Sequence, residues 1–184
     1  MEEVFKFAKE HMQKSIDVLK KDLNTLRTGK VSIHVLDGVK VEYYGTPTPL
    51  NQVANVNAVD ATTIVIQPWD KSIMKDIEKA IQEANVGANP NNDGEVIKMY
   101  FPPMTEEERK KQAKKAKEFA EKAKIAIRNV RRESNDKIKK MFKDKEITED
   151  EERKGLDKIQ EITDSFVNKV DETVNKKIDE VMKV

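Results

Sequence analysis

AKIAIRNVRRESNDK, residues 123–137, is the stretch on which the reading of this chain turns. Ala123, Ile127, Val130 and Ser134 recur at steps of three and four, so they share one face of a helix. Lys124, Arg128, Arg131 and Arg132 fall on an adjoining face. The acids that usually stitch such a face together are missing. Arg128 and Arg131 have no acid three or four places away, and only Arg132 has one, Asp136. Each like-charge pair at that spacing costs a helix roughly 0.2–0.5 kcal/mol. A stripe kept at that cost points to an external anion.

Working outward, residues 105–145 hold 16 Lys and Arg against 8 Asp and Glu, whereas residues 146–184 hold 7 against 12. Residues 30–104 hold 6 against 9 and no arginine, so the formal net charge is only +1 over 184 residues. Charge segregated in this way describes a basic face, not a basic protein. The acidic final segment offers an alternative partner for that face in Asp157, Glu161, Asp164, Asp171 and Glu172. Surface pairs of that kind contribute only about 0–1 kcal/mol. Composition therefore leaves internal pairing and nucleic-acid binding both open.

The basic stripe lies within the longest helix expected. Thr105 with Glu108 forms a capping box at its start, and Ala116, Ala120, Ala123, Ile127, Val130, Ile138 and Met141 are its core positions. KDKEIT (143–148) turns the chain, and Thr148 with Glu151 caps a last helix facing inward through Ile159, Ile162, Phe166, Val170, Val174, Ile178 and Val181. A third stripe, Phe5, Ala8, Met12, Ile16, Leu19, Leu23 and Leu26, predicts a helix over 3–28 with Gly29 as its stop. Three such stripes require one another, so a three-helix bundle follows, assembled from residues 1–29 and 105–184. Arg27 joins the basic face if the first helix packs beside the second.

Between them, residues 30–104 contain all six prolines and read as a small inserted module. Strands are expected at 39–44, 53–59, 63–68 and 95–101, with an amphipathic helix at 70–84 capped by Asp70. Gly45–Pro49 reads as a turn and 85–94 as a loop. The fold class is α+β, a long three-helix bundle carrying a small β/α/β domain with mostly antiparallel pairing. Gly29, Lys30, Pro102, Pro103 and Met104 form the two short connectors, which suits a hinge.

Chemistry for catalysis is sparse. There is no cysteine, only His11 and His34, and neither a phosphate-binding G-x-x-x-x-G-K-[ST] loop nor a G-x-G-x-x-G motif. Both histidines read as structural or exposed. Trp69 could stack on a base but reads better as a core or edge residue of the module. Of Tyr43 and Tyr44, one is expected inward and one in solvent. With so few aromatics near the cations, phosphate contact suits the arginines better than base readout. No apolar run approaches a membrane span, so no membrane partner is expected. The absence of a signal-like start suggests a cytoplasmic protein.

The chain also resembles the ribosome recycling factors. The resemblance runs in order through LRTGKVS (26–32), VEYYGTPTPLNQVANV (41–56), PWDKSIMKDIEKAI (68–81) and NPNNDG (89–94). It continues through PPMTEEERKK (102–111), IAIRNVRRESNDKIK (125–139) and KEITEDEERKGLDKIQEITD (145–164). It implies an L-shaped, two-domain molecule with the outline of a transfer RNA. It also implies a monomeric, non-enzymatic translation factor without a cofactor. Such a factor binds the bacterial ribosome after termination and, with elongation factor G and GTP, splits it into subunits. Carried onto matching positions, Arg128, Arg131 and Arg132 become the principal contacts to large-subunit ribosomal RNA, with Arg27 and Lys124 beside them. Lys30 stands where the family pattern R-T-G-R-A-S-P has its second arginine; it keeps the charge and loses the bidentate fork. Ile33 replaces the proline of that pattern.

Two rival classes remain at this level. One is a helical module that docks on ribosomes without disassembling them. The other is a hydrolase in the inserted domain, for which no nucleophile set can be assigned.

Overall fold

The computed structural model describes residues 1–183 and contains four α-helices and six strands among them. These are α1 (Glu2–Asn24), β1 (Lys40–Tyr43), β2 (Thr46–Pro49), β3 (Ala54–Ala58) and β4 (Thr63–Pro68). α2 (Met74–Ala84), β5 (Pro90–Asn92), β6 (Ile97–Tyr100), α3 (Glu106–Lys143) and α4 (Glu149–Met182) follow. The chain divides into two compact units, Met1–Leu23 with Lys114–Asp179, and Asn24–Ala113 with the residues from Glu180 onward.

The first unit is three packed helices. Ala8, Met12, Ile16, Leu19 and Leu23 of α1 are buried, as are Ala116, Ala120, Ala123, Ile127 and Ile138 of α3 and Ile159, Ile162, Phe166, Val170 and Val174 of α4. Enclosing an aliphatic side chain of this size stabilises the fold by about 1.5–3 kcal/mol. The stripes differ from expectation at their margins. Val4 is buried in place of Phe5, and Val130, Met141 and Ile178 are only half-buried. Ser134 is fully enclosed on the core face of α3, and among the described residues its hydroxyl has no partner.

Both capping boxes form. Glu108 N–H donates to Thr105 Oγ1 at 3.1 Å while Thr105 N–H donates to the Glu108 carboxylate at 2.9 Å. Thr148 and Glu151 repeat the exchange at 3.1 and 3.2 Å. Two otherwise orphaned donors are satisfied at each start. The end of α3 is a Schellman motif, with Glu146 N–H on the Met141 carbonyl and Lys145 N–H on that of Phe142. Its left-handed position, φ +60°, is held by Lys145 where glycine is usual.

The second unit contains the inserted module. A two-stranded ribbon, β1–β2, accompanies a four-stranded sheet of order β3-β4-β6-β5, and every pair is antiparallel. Ile64 and Ile66 of β4 and Ile97 and Met99 of β6 point to one face, where Ile77 and Ile81 of α2 close over them.

Three expectations change here. α1 ends at Asn24, so Gly29 is not its stop; Leu26 is buried in the second unit. Thr46–Pro49 is a strand, joined to β1 through a tight turn in which Tyr44 and Gly45 both take positive φ (48° and 77°). Pro90–Asn92 is also a strand, at the edge of the four-stranded sheet. Proline is tolerated in short edge strands because no ladder donor is required there. Asp70 does cap a helix start, accepting from Ser72 N–H at 2.9 Å, but it opens a single tight turn (Lys71–Ile73) before α2 begins at Met74.

Candidate nucleic-acid interface

α3 carries Lys124, Arg128, Arg131 and Arg132 together within the first unit. Their charges are answered very differently. Lys124 Nζ lies 2.7 Å from Asp171 Oδ1 of α4 and is only 21% exposed, so it is tied down. Arg128 Nη1 stands 3.5 Å from Glu121, seven residues earlier on its own helix, with both groups open to solvent. That exposed pair contributes about 0–1 kcal/mol.

Arg131 meets no acid. Its Nη1 donates to Gln160 Oε1 at 2.9 Å, and Gln160 Nε2 in turn donates to Asp164 Oδ1 at 2.8 Å. Among the described residues the enclosed Arg131 Nε has no partner, nor has Asn135 Oδ1 one turn further on. Arg132 is exposed and, among the described residues, makes no hydrogen bond or ion pair, not even with Asp136. Of the five acids on α4 that could have neutralised the stripe, Asp171 is the one that pairs directly with it. Glu161 pairs with Lys158 of its own helix at 3.6 Å instead. The acid helix leaves most of the arginine charge standing.

Arg27 and Lys30 belong to the second unit. Arg27 is engaged there: Nη2 donates to the Pro102 carbonyl, and the guanidinium sits 5.7 Å from the centre of the Phe101 ring. Its own N–H donates to Gln112 Oε1 at 3.2 Å. Arg27 thereby clasps the two connectors to each other. Lys30 is exposed, and its carbonyl accepts from Thr28 Oγ1 at 2.9 Å. Gly29, Lys30, Pro102, Pro103 and Met104 all lie inside this unit, with Met104 buried.

A family model described as Ribosome recycling factor matches residues 19–182. The chain belongs to the ribosome recycling factor family. It is 66% identical to the ribosome-recycling factor of a Nitratiruptor species over 184 residues, all of this chain and 99% of that one. Identity to the ribosome-recycling factor of Helicobacter hepaticus is 60%, with both chains fully covered. A solution structure of the ribosome recycling factor superposes with a TM-score of 0.79 at 34% identity, over 100% of this chain and 97% of that one. A second neighbour comes from models for the T. thermophilus ribosome recycling factor and the E. coli elongation factor G bound to the E. coli post-termination complex. It matches at 44% identity and a TM-score of 0.67, over 98% of each chain. The family resemblance and the α+β class both hold.

Elsewhere the titratable groups look structural. His11 Nδ1 lies 3.0 Å from the Phe7 carbonyl, and His34 Nδ1 lies 3.1 Å from Asp37. Among the described residues there is no group of three or more His, Asp or Glu placed to hold a metal, and no helix is long and apolar enough to cross a membrane. Trp69 is 61% exposed, which excludes the core; it directly follows β4, with its N–H donating to the Val53 carbonyl. Tyr43 is half-buried and Tyr44 lies in solvent, although Tyr44 sits in the turn, not the strand.

The residue missed from sequence is Gln160. Its role depends on which residue of α4 faces Arg131 across the bundle, and helix register between separate segments is not written in periodicity alone.

Proposed function

We propose that this chain is a non-catalytic translation factor which, with elongation factor G and GTP, disassembles the post-termination bacterial ribosome into subunits. The observation that carries this is the match over 98% of the chain to a neighbour described with elongation factor G on a post-termination complex. The work is mechanical. The helical arm docks on large-subunit ribosomal RNA, and force supplied by the GTP-hydrolysing partner drives the subunits apart.

Docking is assigned to Arg128, Arg131 and Arg132 with Lys124 on the first unit, and separately to Arg27 and Lys30 on the second. A guanidinium with its charge unanswered can meet a phosphate oxygen through two parallel donors, and such contacts position without reading sequence. The incomplete neutralisation of α3 supports this reading. The functional domains are residues 1–29 with 105–184 and residues 30–104, flexing at Gly29, Lys30, Pro102, Pro103 and Met104. The Arg27 clasp supports that hinge by keeping its two connectors side by side. The monomer is the acting form, in the cytoplasm.

Light scattering of post-termination ribosomes tests the whole reading, with an initiation factor present to prevent rejoining. A fall in scattering that requires this protein, elongation factor G and GTP together is expected. Retained ribosome binding without a fall would make the chain a docking module instead. Arg131→Ala is expected to lose splitting while keeping the helical circular-dichroism signal.

A further inference from the structure

α4 is an acid-rich helix, yet the group it turns towards Arg131 is a neutral amide. Residues 146–184 contain twelve acids and two other amide side chains besides Gln160, so a carboxylate was the more common choice. On the same helix pair, Asp171 shows what a carboxylate does: it closes on Lys124 at 2.7 Å and answers its charge. At Gln160 that does not happen.

Two contacts fix the amide. A guanidinium only donates and a carboxylate only accepts. The Gln160 oxygen must therefore face Arg131 and its nitrogen must face Asp164, as the distances of 2.9 and 2.8 Å have it. Asp164 is thus kept one amide away from the arginine. It orients the glutamine without itself pairing with the cation. Among the described residues the Arg131 side chain makes no other hydrogen bond.

We propose that Gln160 is a positioning residue for Arg131, holding the guanidinium in place through a neutral contact so that its full charge stays available to a ribosomal RNA phosphate. The inference rests on the reading of α3 as the docking face. It adds that Asp164 is the anchor of the relay, and that any carboxylate at 160 is a competitor for the phosphate.

The test is binding of the intact protein to purified large ribosomal subunits across a salt series, for the wild type, Gln160→Glu, Gln160→Met, Arg131→Ala and the double variant Arg131→Ala/Gln160→Glu. Gln160→Glu is expected to weaken binding about three- to fivefold, the scale of one surface ion pair. The slope of log affinity against log salt should fall by about one phosphate contact. In the Arg131→Ala background the same change should have no further effect on affinity or slope. Gln160→Met removes the orientation but not the charge, so about a twofold loss with an unchanged slope is expected.

Wild-type affinity in both Gln160→Glu and Gln160→Met, with Arg131→Ala still weakened, would overturn the positioning role alone. So would an equal loss from Gln160→Glu in both backgrounds, because the new charge would then be acting at a distance. Unchanged binding by Arg131→Ala would instead remove the docking assignment of Arg131, and the inference with it.

Discussion

Lys124 and Asp171 close across α3 and α4 at 2.7 Å, whereas Arg132, two turns further along α3, faces solvent with no partner among the described residues. One stripe therefore contains a cation used for packing and a cation left for something else. Arg132→Ala is expected to weaken binding to large ribosomal subunits about tenfold and to lower the salt slope by about one. Lys124→Ala should change the slope little and instead cost about 0–1 kcal/mol of bundle stability. Filter binding at several salt concentrations, with urea unfolding alongside, separates the two. Equal salt slopes for both variants would contradict the distinction.

Arg27 works as a clasp. Its guanidinium reaches the Pro102 carbonyl and lies over Phe101, while its Nε is enclosed. A hydrogen bond to a charged group contributes about 1.5–3 kcal/mol. Arg27→Ala should lower unfolding stability by about 1–3 kcal/mol. Arg27→Lys should recover only part of that, because an ammonium lacks the planar fork. A denaturant midpoint identical to the wild type for Arg27→Ala would rule the clasp out.

Lys145 holds a left-handed conformation at φ +60° in the Schellman turn that ends α3. An L side chain there costs roughly 1–2 kcal/mol, part of which glycine gives back as chain entropy in the unfolded state. Lys145→Gly is therefore expected to stabilise by about 0.5–1 kcal/mol, seen as a higher thermal midpoint. A lower midpoint would mean that the Lys145 side chain contributes contacts of its own.

Asp93 Oδ1 accepts from the N–H groups of both Glu95 and Val96, at 2.9 and 2.8 Å. The Val96 and then the Glu95 N–H hold its carboxyl below the ordinary carboxylate range. A depressed folded-state value contributes stability that is present above the unfolded-state pKa and is lost as pH falls through the folded-state one. The β5–β6 connection should accordingly loosen on acidification below the normal aspartate range. An Asp93→Asn variant should show less of that acid dependence. Amide chemical shifts of Glu95 and Val96 report it directly; shifts that titrate at an ordinary aspartate value would refute it.

The sequence was most legible where one short segment carries its own physical reason. The capping boxes at Thr105 and Thr148 needed only four residues each, and both formed as read. The buried faces of α3 and α4 followed from spacing, failing only at half-buried margins such as Val130 and Met141. Thr46–Pro49 and Pro90–Asn92 carry the proline and asparagine that usually punctuate irregular segments, yet tertiary pairing recruits them as edge strands. The apolar stripe ran on to Leu26 although α1 stops at Asn24, since a buried leucine need not be helical. The arginines of the candidate site were visible as a charge anomaly. What answers them is legible only in part: Asp171 stands among the five candidate acids and does meet Lys124, whereas Gln160, 29 residues from Arg131, is neutral and gives no charge signal.

The first unit is assembled from two segments far apart in the chain, Met1–Leu23 and Lys114–Asp179, while the core of the inserted module lies wholly within residues 31–101. During synthesis the module's last core residue, Phe101, leaves the exit tunnel well before the end of α4, by 81 residues counted between Phe101 and Met182. At ~5–20 residues per second that interval is about 4–16 s. The module can close its core in that time, but the apolar side of α1 has nothing to cover it. A newborn copy therefore passes through a stage in which its first segment is sticky and its middle is finished. Chaperone dependence should accordingly concentrate at α1 and end only when α4 emerges.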